Sequence, residues 1–139
     1  MLRKGNQKMK TLSIAAVMAV GLCLAAPAVA HHSMAGFDRK NTVTLEGTVK
    51  TFSWQNPHCY IEIEVPGKDG MPVTWNVEMT APGYLVRAGW KKTAIKAGDK
   101  VTVVANPLLT GEPGALFVSV TLPDGETLTQ RGVQPAKGK

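Results

Sequence analysis

Residues 58–65 and 72–79 alternate apolar and polar side chains on either side of Pro66-Gly67-Lys68-Asp69-Gly70, a segment whose composition dictates a turn. In an extended chain, successive side chains point to opposite faces, so each run has one face to bury. In the first run Cys59, Ile61, Ile63 and Val65 share a face, with Tyr60, Glu62 and Glu64 on the other. In the second, Val73, Trp75, Val77 and Met79 face inward. The pair predicts an antiparallel hairpin. An isolated hairpin is marginal in water, so the rest of the chain must close over its apolar face.

The remaining segments extend that sheet. Val43, Leu45, Gly47 and Val49 share one parity, and Phe52 and Trp54 take the opposite one. This phase change predicts one long strand with a bulge or coil near Gly47 or Lys50. Thr80-Ala81-Pro82 reads as a helix start with Thr80 as N-cap, and Gly89 as its stop. Trp90 and Ile95 follow as apolar plugs. Ala97-Gly98-Asp99 is a turn into a fourth strand with Val101 and Val103 on one face, and residues 115–122 form the fifth. Pro123-Asp124-Gly125-Glu126 is a hairpin turn that folds Thr127-Leu128 back on the strand end. The polar chain from Thr129 reads as a frayed tail. The expected fold is all-β: a five-stranded OB-like barrel with one short helix between strands 3 and 4, preceded by a cleaved signal peptide. An immunoglobulin-like sandwich needs about seven strands and no central helix.

The N-terminal residues have the form of an export signal. Arg3, Lys4, Lys8 and Lys10 precede an apolar run from Thr11 to Ala26, and Ala28-Val29-Ala30 supplies the small residues a signal peptidase requires. The run is shorter than the roughly 20 residues that span a bilayer. Leu22 before Cys23 argues against a lipoprotein. The favoured cut follows Ala30, with Ala28 as the alternative. The chain thus divides into a signal peptide (1–30), an N-terminal arm (31–41), the barrel (42–128) and a polar tail (129–139), and is expected in the periplasm or outside the cell.

Cleavage changes the composition. Four of the 16 basic residues leave with the signal, so 12 face 10 acidic residues and the net charge falls from +6 to +2. That is a weak field for a polyanion binder, which argues against nucleic acid as a partner. Cys59 becomes the only cysteine, which excludes an intramolecular disulfide.

Two groups carry candidate chemistry. Cutting after Ala30 would make His31 the first residue, where its amine and ring form a chelate, with His32 and His58 as further nitrogen ligands. Amine and imidazole donors suit copper(II), which heads the divalent affinity order. Trp54, Asn56 and His58, in Trp54-Gln55-Asn56-Pro57-His58, would lie at a barrel rim, where OB-type domains present ligand-contacting loops. The plainer reading makes Trp54 a core anchor at a rigid corner. No catalytic constellation is evident. His58 and Cys59 are adjacent in a strand and should diverge, and Glu62 and Glu64 read as a solvated face. The reading is a non-enzymatic binding module for a small ligand or periplasmic protein; the alternative is a copper-binding or copper-handling protein.

The chain also resembles a bacterial family of small exported proteins classed as a domain of unknown function. The resemblance rests on His31-His32-Ser33 leading to Phe37-Asp38, on Thr44-Leu45-x-Gly47-x-Val49, and on Trp54-x-Asn56-Pro57-His58. Gly89-Trp90, Gly98-Asp99-x-Val101 and Thr121-Leu122-Pro123-Asp124-Gly125 complete it. Family members place an aromatic after the first serine, where Met34 stands here. The resemblance implies export and a barrel and adds no mechanism.

Intact-mass analysis of the exported protein is expected to give a chain beginning at His31. A chain beginning at Val29 would select the alternative cut, and one retaining residues 1–30 would contradict processing.

Overall fold

A computed structural model describes residues 34–134. Residues 1–33, which hold the expected signal peptide with His31 and His32, and residues 135–139 lie outside the described residues.

The first strand, β1 (Val43–Ser53), is shared between two neighbours. Its first half pairs antiparallel with β4 (Lys100–Pro107), from Val43↔Ala105 to Thr48↔Lys100. Its second half pairs antiparallel with β2 (Tyr60–Pro66), from Thr48↔Glu64 to Ser53↔Tyr60. The register slips between Val49 and Thr51, so Lys50 is the bulged residue and the phase change expected near Gly47 or Lys50 falls there. The bulge returns Phe52 to the core side. Gly47 is required by close approach of the strands: a Cβ there would lie 2.2 Å from the Glu64 carbonyl oxygen.

β2 pairs with β3 (Pro72–Glu78) in the expected hairpin. β4 pairs antiparallel with β5 (Gly114–Thr121), and β5 runs parallel to β3 from Asn76↔Gly114 to Glu78↔Leu116. The circuit β1-β2-β3-β5-β4-β1 closes a five-stranded OB-type barrel with one short helix, α1 (Pro82–Arg87), between strands 3 and 4. Ile61, Ile63, Val77, Val103 and Val120 fill its interior and are fully buried. The family of inward residues has one exception. Val73 is 36% exposed, because β3 runs alongside β5 only from Asn76 onward and leaves the start of the strand uncovered.

The helix start is corrected by one residue. Ala81 occupies the N-cap position without a side-chain cap, because the Thr80 carbonyl, two residues past the end of β3, accepts the Cys59 amide at 3.2 Å instead of opening the helix. Pro82 needs no N–H at the first turn. At the other end Gly89 adopts φ +88°, its amide bonds the Val86 carbonyl and the Trp90 amide bonds the Leu85 carbonyl, both at 3.0 Å. That is a Schellman stop, closed by contact of the chain beyond it with the last turn. It turns Trp90 into the core, between Phe52 and Phe117 at ring-centroid distances of 6.3 and 5.7 Å.

Sheet pairing continues past Leu128, which corrects the expectation of a frayed tail from Thr129. β6 (Thr127–Thr129) pairs with β5, and β7 (Gly132–Gln134) pairs with β6. The Trp90 indole N–H donates to the Thr129 carbonyl at 2.7 Å, and the Gln130 side-chain amide donates to the Phe117 carbonyl at 3.0 Å. These buried-edge bonds fix a segment whose side chains alone read as polar.

Replacing Gly47 with Ala should destabilise the protein by about 1–3 kcal/mol in urea unfolding, since backbone must move to admit the methyl group. Thr44→Ala, at an exposed position of the same strand, should change stability by less than about 0.5 kcal/mol.

Candidate functional site

Burying Ile61, Ile63 and Val77 forces the intervening residues of the β2–β3 hairpin outward. The register then sets Tyr60 opposite Glu78, Glu62 opposite Asn76, and Glu64 opposite Thr74. Side chains directly opposed across an antiparallel pair lie about 4.5–5.5 Å apart at Cβ. The outer face therefore carries three carboxylates and no Lys or Arg of its own. Lys50, from β1, approaches Glu64 at 3.6 Å. His58, just before β2, places Nδ1 against the Glu78 carboxylate, and both side chains are about a quarter exposed.

The N-terminal arm closes one side of this face. The Asp38 amide donates to the Pro107 carbonyl at 2.8 Å, the Leu109 amide donates to the Gly36 carbonyl at 2.9 Å, and Phe37 bridges to Leu108. Asn106 adds a bond from its side-chain amide to the Asn41 carbonyl at 2.8 Å. The Asp38 carboxylate accepts from the Asn41 side chain at 2.8 Å and from the Lys40 amide at 3.1 Å, which holds it below the ordinary carboxylate range. So strapped, Phe37 forms a wall of a cleft of about 300 Å³ shared with Tyr60, Asn76, Glu78, Leu108 and Glu112. Burial, and then the negative charge of Glu78, push the Tyr60 hydroxyl above its ordinary pKa. Tyr60 therefore enters the cleft as a neutral donor beside a carboxylate.

A larger concavity of about 620 Å³ lies where β1, β2 and β4 meet the turn of the hairpin. Its walls carry Glu46 and Glu64 with Lys100 and several threonines, and no aromatic ring or histidine. The smaller cleft combines two aromatic walls with two carboxylates, and Glu78, one of them, is contacted by His58 from outside the lining, so it has the richer chemistry despite its size.

The expected rim residues separate. Trp54 is half-buried, packs on the core and meets Phe52 edge-on at 5.7 Å. Asn56 is exposed and precedes Pro57 through a cis peptide bond. His58 alone turns toward Glu78. Cys59 points the other way into the core and is fully buried, which pushes its thiol pKa up against a smaller opposing backbone bond at Gln55. Among the described residues, no group of three or more His, Cys, Asp or Glu side chains is placed to hold a metal ion. His31 and His32 lie outside the described residues, so the expected His31–His32–His58 set is not assembled within them. Sequence reasoning missed Phe37, Asn76, Glu78 and Glu112. For Glu78 the signal was available, since pairing about the 66–72 turn brings it opposite Tyr60.

The geometry thus defines a class: an OB-type barrel with an acidic hairpin face and an aromatic-walled cleft. Residues 19–117 match a family described as "Family of unknown function (DUF6152)", and the chain belongs to that family. Comparison with curated proteins finds no match. Among solved structures the chain is similar to the mitochondrial single-stranded DNA-binding protein Rim1 of S. cerevisiae. That similarity has 15% identity, covers 60% of this chain and 93% of that chain, and has a TM-score of 0.46. No helix among the described residues is long and apolar enough to cross a membrane.

The buried Cys59 thiol should resist iodoacetamide in the native protein at mildly alkaline pH and react fully once unfolded, as read by mass spectrometry. Rapid native alkylation would contradict its placement.

Proposed function

We propose that the chain is an exported, non-enzymatic binding module that takes a positively charged ligand or partner group in the cleft between Phe37 and the β2–β3 face. The observation that carries this reading is the meeting of Glu78 and Glu112 with the rings of Phe37 and Tyr60 around one concavity. Aromatic faces and carboxylates both attract cations, and partial enclosure strengthens the attraction. A phosphate backbone meets the wrong sign on this face, which disfavours nucleic acid as the occupant of the cleft. Divergence of His58 and Cys59 removes the nearest nucleophile–base pair and supports a non-enzymatic role. The reading of residues 1–30 as a signal peptide supports export.

Copper(II) is the second reading, favoured by one feature. Contact of a carboxylate with Nδ1 orients a histidine and leaves Nε2 as the metal-binding nitrogen, the usual arrangement around a metal-ligating imidazole. Phe37 lines the same cleft as Glu78 and follows His31 by six residues, a length of chain that reaches up to about 20 Å. Processing after Ala30 would let the His31 amine and ring, with His32, act together with His58.

Calorimetric titration of the processed protein tests both. With spermidine as the cation, Glu78→Gln combined with Glu112→Gln should weaken binding by about tenfold or more, each lost charge-assisted contact being worth that order. Unchanged affinity in a folded double variant would remove the cleft from the account. With copper(II), His58→Ala should weaken binding by about tenfold and alter the electron paramagnetic resonance spectrum. An unaltered spectrum would confine copper to the terminal peptide.

A further inference from the structure

Five of the ten basic residues within 34–134 fall between residues 87 and 100. Between residues 87 and 100 the chain carries Arg87, Lys91, Lys92, Lys96 and Lys100, all exposed, against one acidic residue, Asp99. The Asp99 carboxylate is engaged locally, accepting the Lys96 amide at 2.9 Å. The helix α1 that leads into this segment carries two large apolar side chains in solvent. Tyr84 is 61% and Val86 59% exposed, on either side of the buried Leu85. The Arg87 guanidinium sits 4.5 Å from the Tyr84 ring centroid. This layout follows from the Schellman stop. Trp90 is drawn into the core, so the chain re-emerges with Lys91 and Lys92 exposed within five residues of Arg87.

Neither half of the patch is needed by the barrel. Tyr84 and Val86 bury little against it, and the lysines have no carboxylate partner within ion-pair distance among the described residues. Glu126 is the one carboxylate lining the concavity of about 320 Å³ beside Lys91. An exposed tyrosine and valine beside a run of cations match an interface with two demands: negative charge, and a layer that accepts partly apolar rings.

We propose that α1 and the segment leading to β4 form a peripheral docking surface for an anionic lipid bilayer. Arg87, Lys91 and Lys92 face the headgroup phosphates, and Tyr84 and Val86 enter the interfacial layer. Charge complementarity selects an anionic surface. The two exposed apolar side chains select a bilayer over a purely polar polyanion. The contact is peripheral, since no helix among the described residues can span a membrane. It is independent of what occupies the cleft.

The test is cosedimentation of the exported, processed protein with lipid vesicles. Vesicles containing about one-third phosphatidylglycerol in phosphatidylcholine should retain it at low salt and release it at high salt, as screening shortens the reach of surface charge. Pure phosphatidylcholine vesicles should not retain it. Lys91→Glu with Lys92→Glu should lower the partition coefficient at least about tenfold, since two charges are reversed. Tyr84→Ser with Val86→Ser, both at exposed positions and so compatible with folding, should also lower it. Circular dichroism checks that each variant is folded. Failure to bind anionic vesicles, equal binding to both vesicle types, or retained binding by the folded Lys91→Glu/Lys92→Glu variant would each overturn the proposal. Capture by poly-glutamate without vesicle binding would also overturn it and assign the patch to an acidic polypeptide.

Discussion

The barrel depends on one strand serving two partners. β1 gives its first half to β4 and its second half to β2, with Thr48 at the handover. A straight strand cannot do this, because its inward side chains would lose phase as it turned from one neighbour to the other. The bulge at Lys50 restores the phase, and Gly47 lets the β2 backbone approach where the strand coils. With β1 bent in this way, β3 and β5 meet in parallel and complete the circuit. The outer face of β2–β3 then has a fixed register, and the candidate site follows from that register.

Much of this was legible in the residues. Strict alternation in residues 58–65 and 72–79 marks two strands, and the odd-parity face of β2 correctly places Ile61, Ile63 and Cys59 inside. The parity break between Val49 and Phe52 gave away the bulge. The features that were not legible depend on contacts distant in sequence. Thr80 looks like a cap by composition, yet the Cys59 amide claims its carbonyl first. Residues 129–134 look like tail, but the Trp90 indole, 39 positions earlier, holds Thr129 in place. The candidate site shows the same pattern. Glu62 and Glu64 read as a solvated face when β2 is taken alone. Neither lines the cleft, which forms instead where Tyr60 meets Glu78 across the hairpin and Phe37 and the loop before β5 add a wall.

Charge is unevenly spread over the surface. Alternation leaves acidic residues on the hairpin's outer face, and the chain from Arg87 to Lys100 is rich in lysine. These patches would attract opposite kinds of partner, which is consistent with a module that holds a cationic group at one site and rests on an anionic surface by another. The signal-like N-terminus adds a third element. Processing after Ala30 would free the His31 amine beside its own ring.

The most direct measurement is a two-dimensional amide correlation spectrum of the processed, isotopically labelled protein during addition of substoichiometric copper(II), a cation that broadens the signals of nearby amides. The account predicts early loss of the Phe37, Tyr60, Asn76 and Glu78 resonances while those of α1 and β6 persist. Broadening centred on Glu46 and Lys100 would contradict the assignment of the β2–β3 cleft as the cation seat, and broadening confined to the first few residues of the chain would withdraw copper from it.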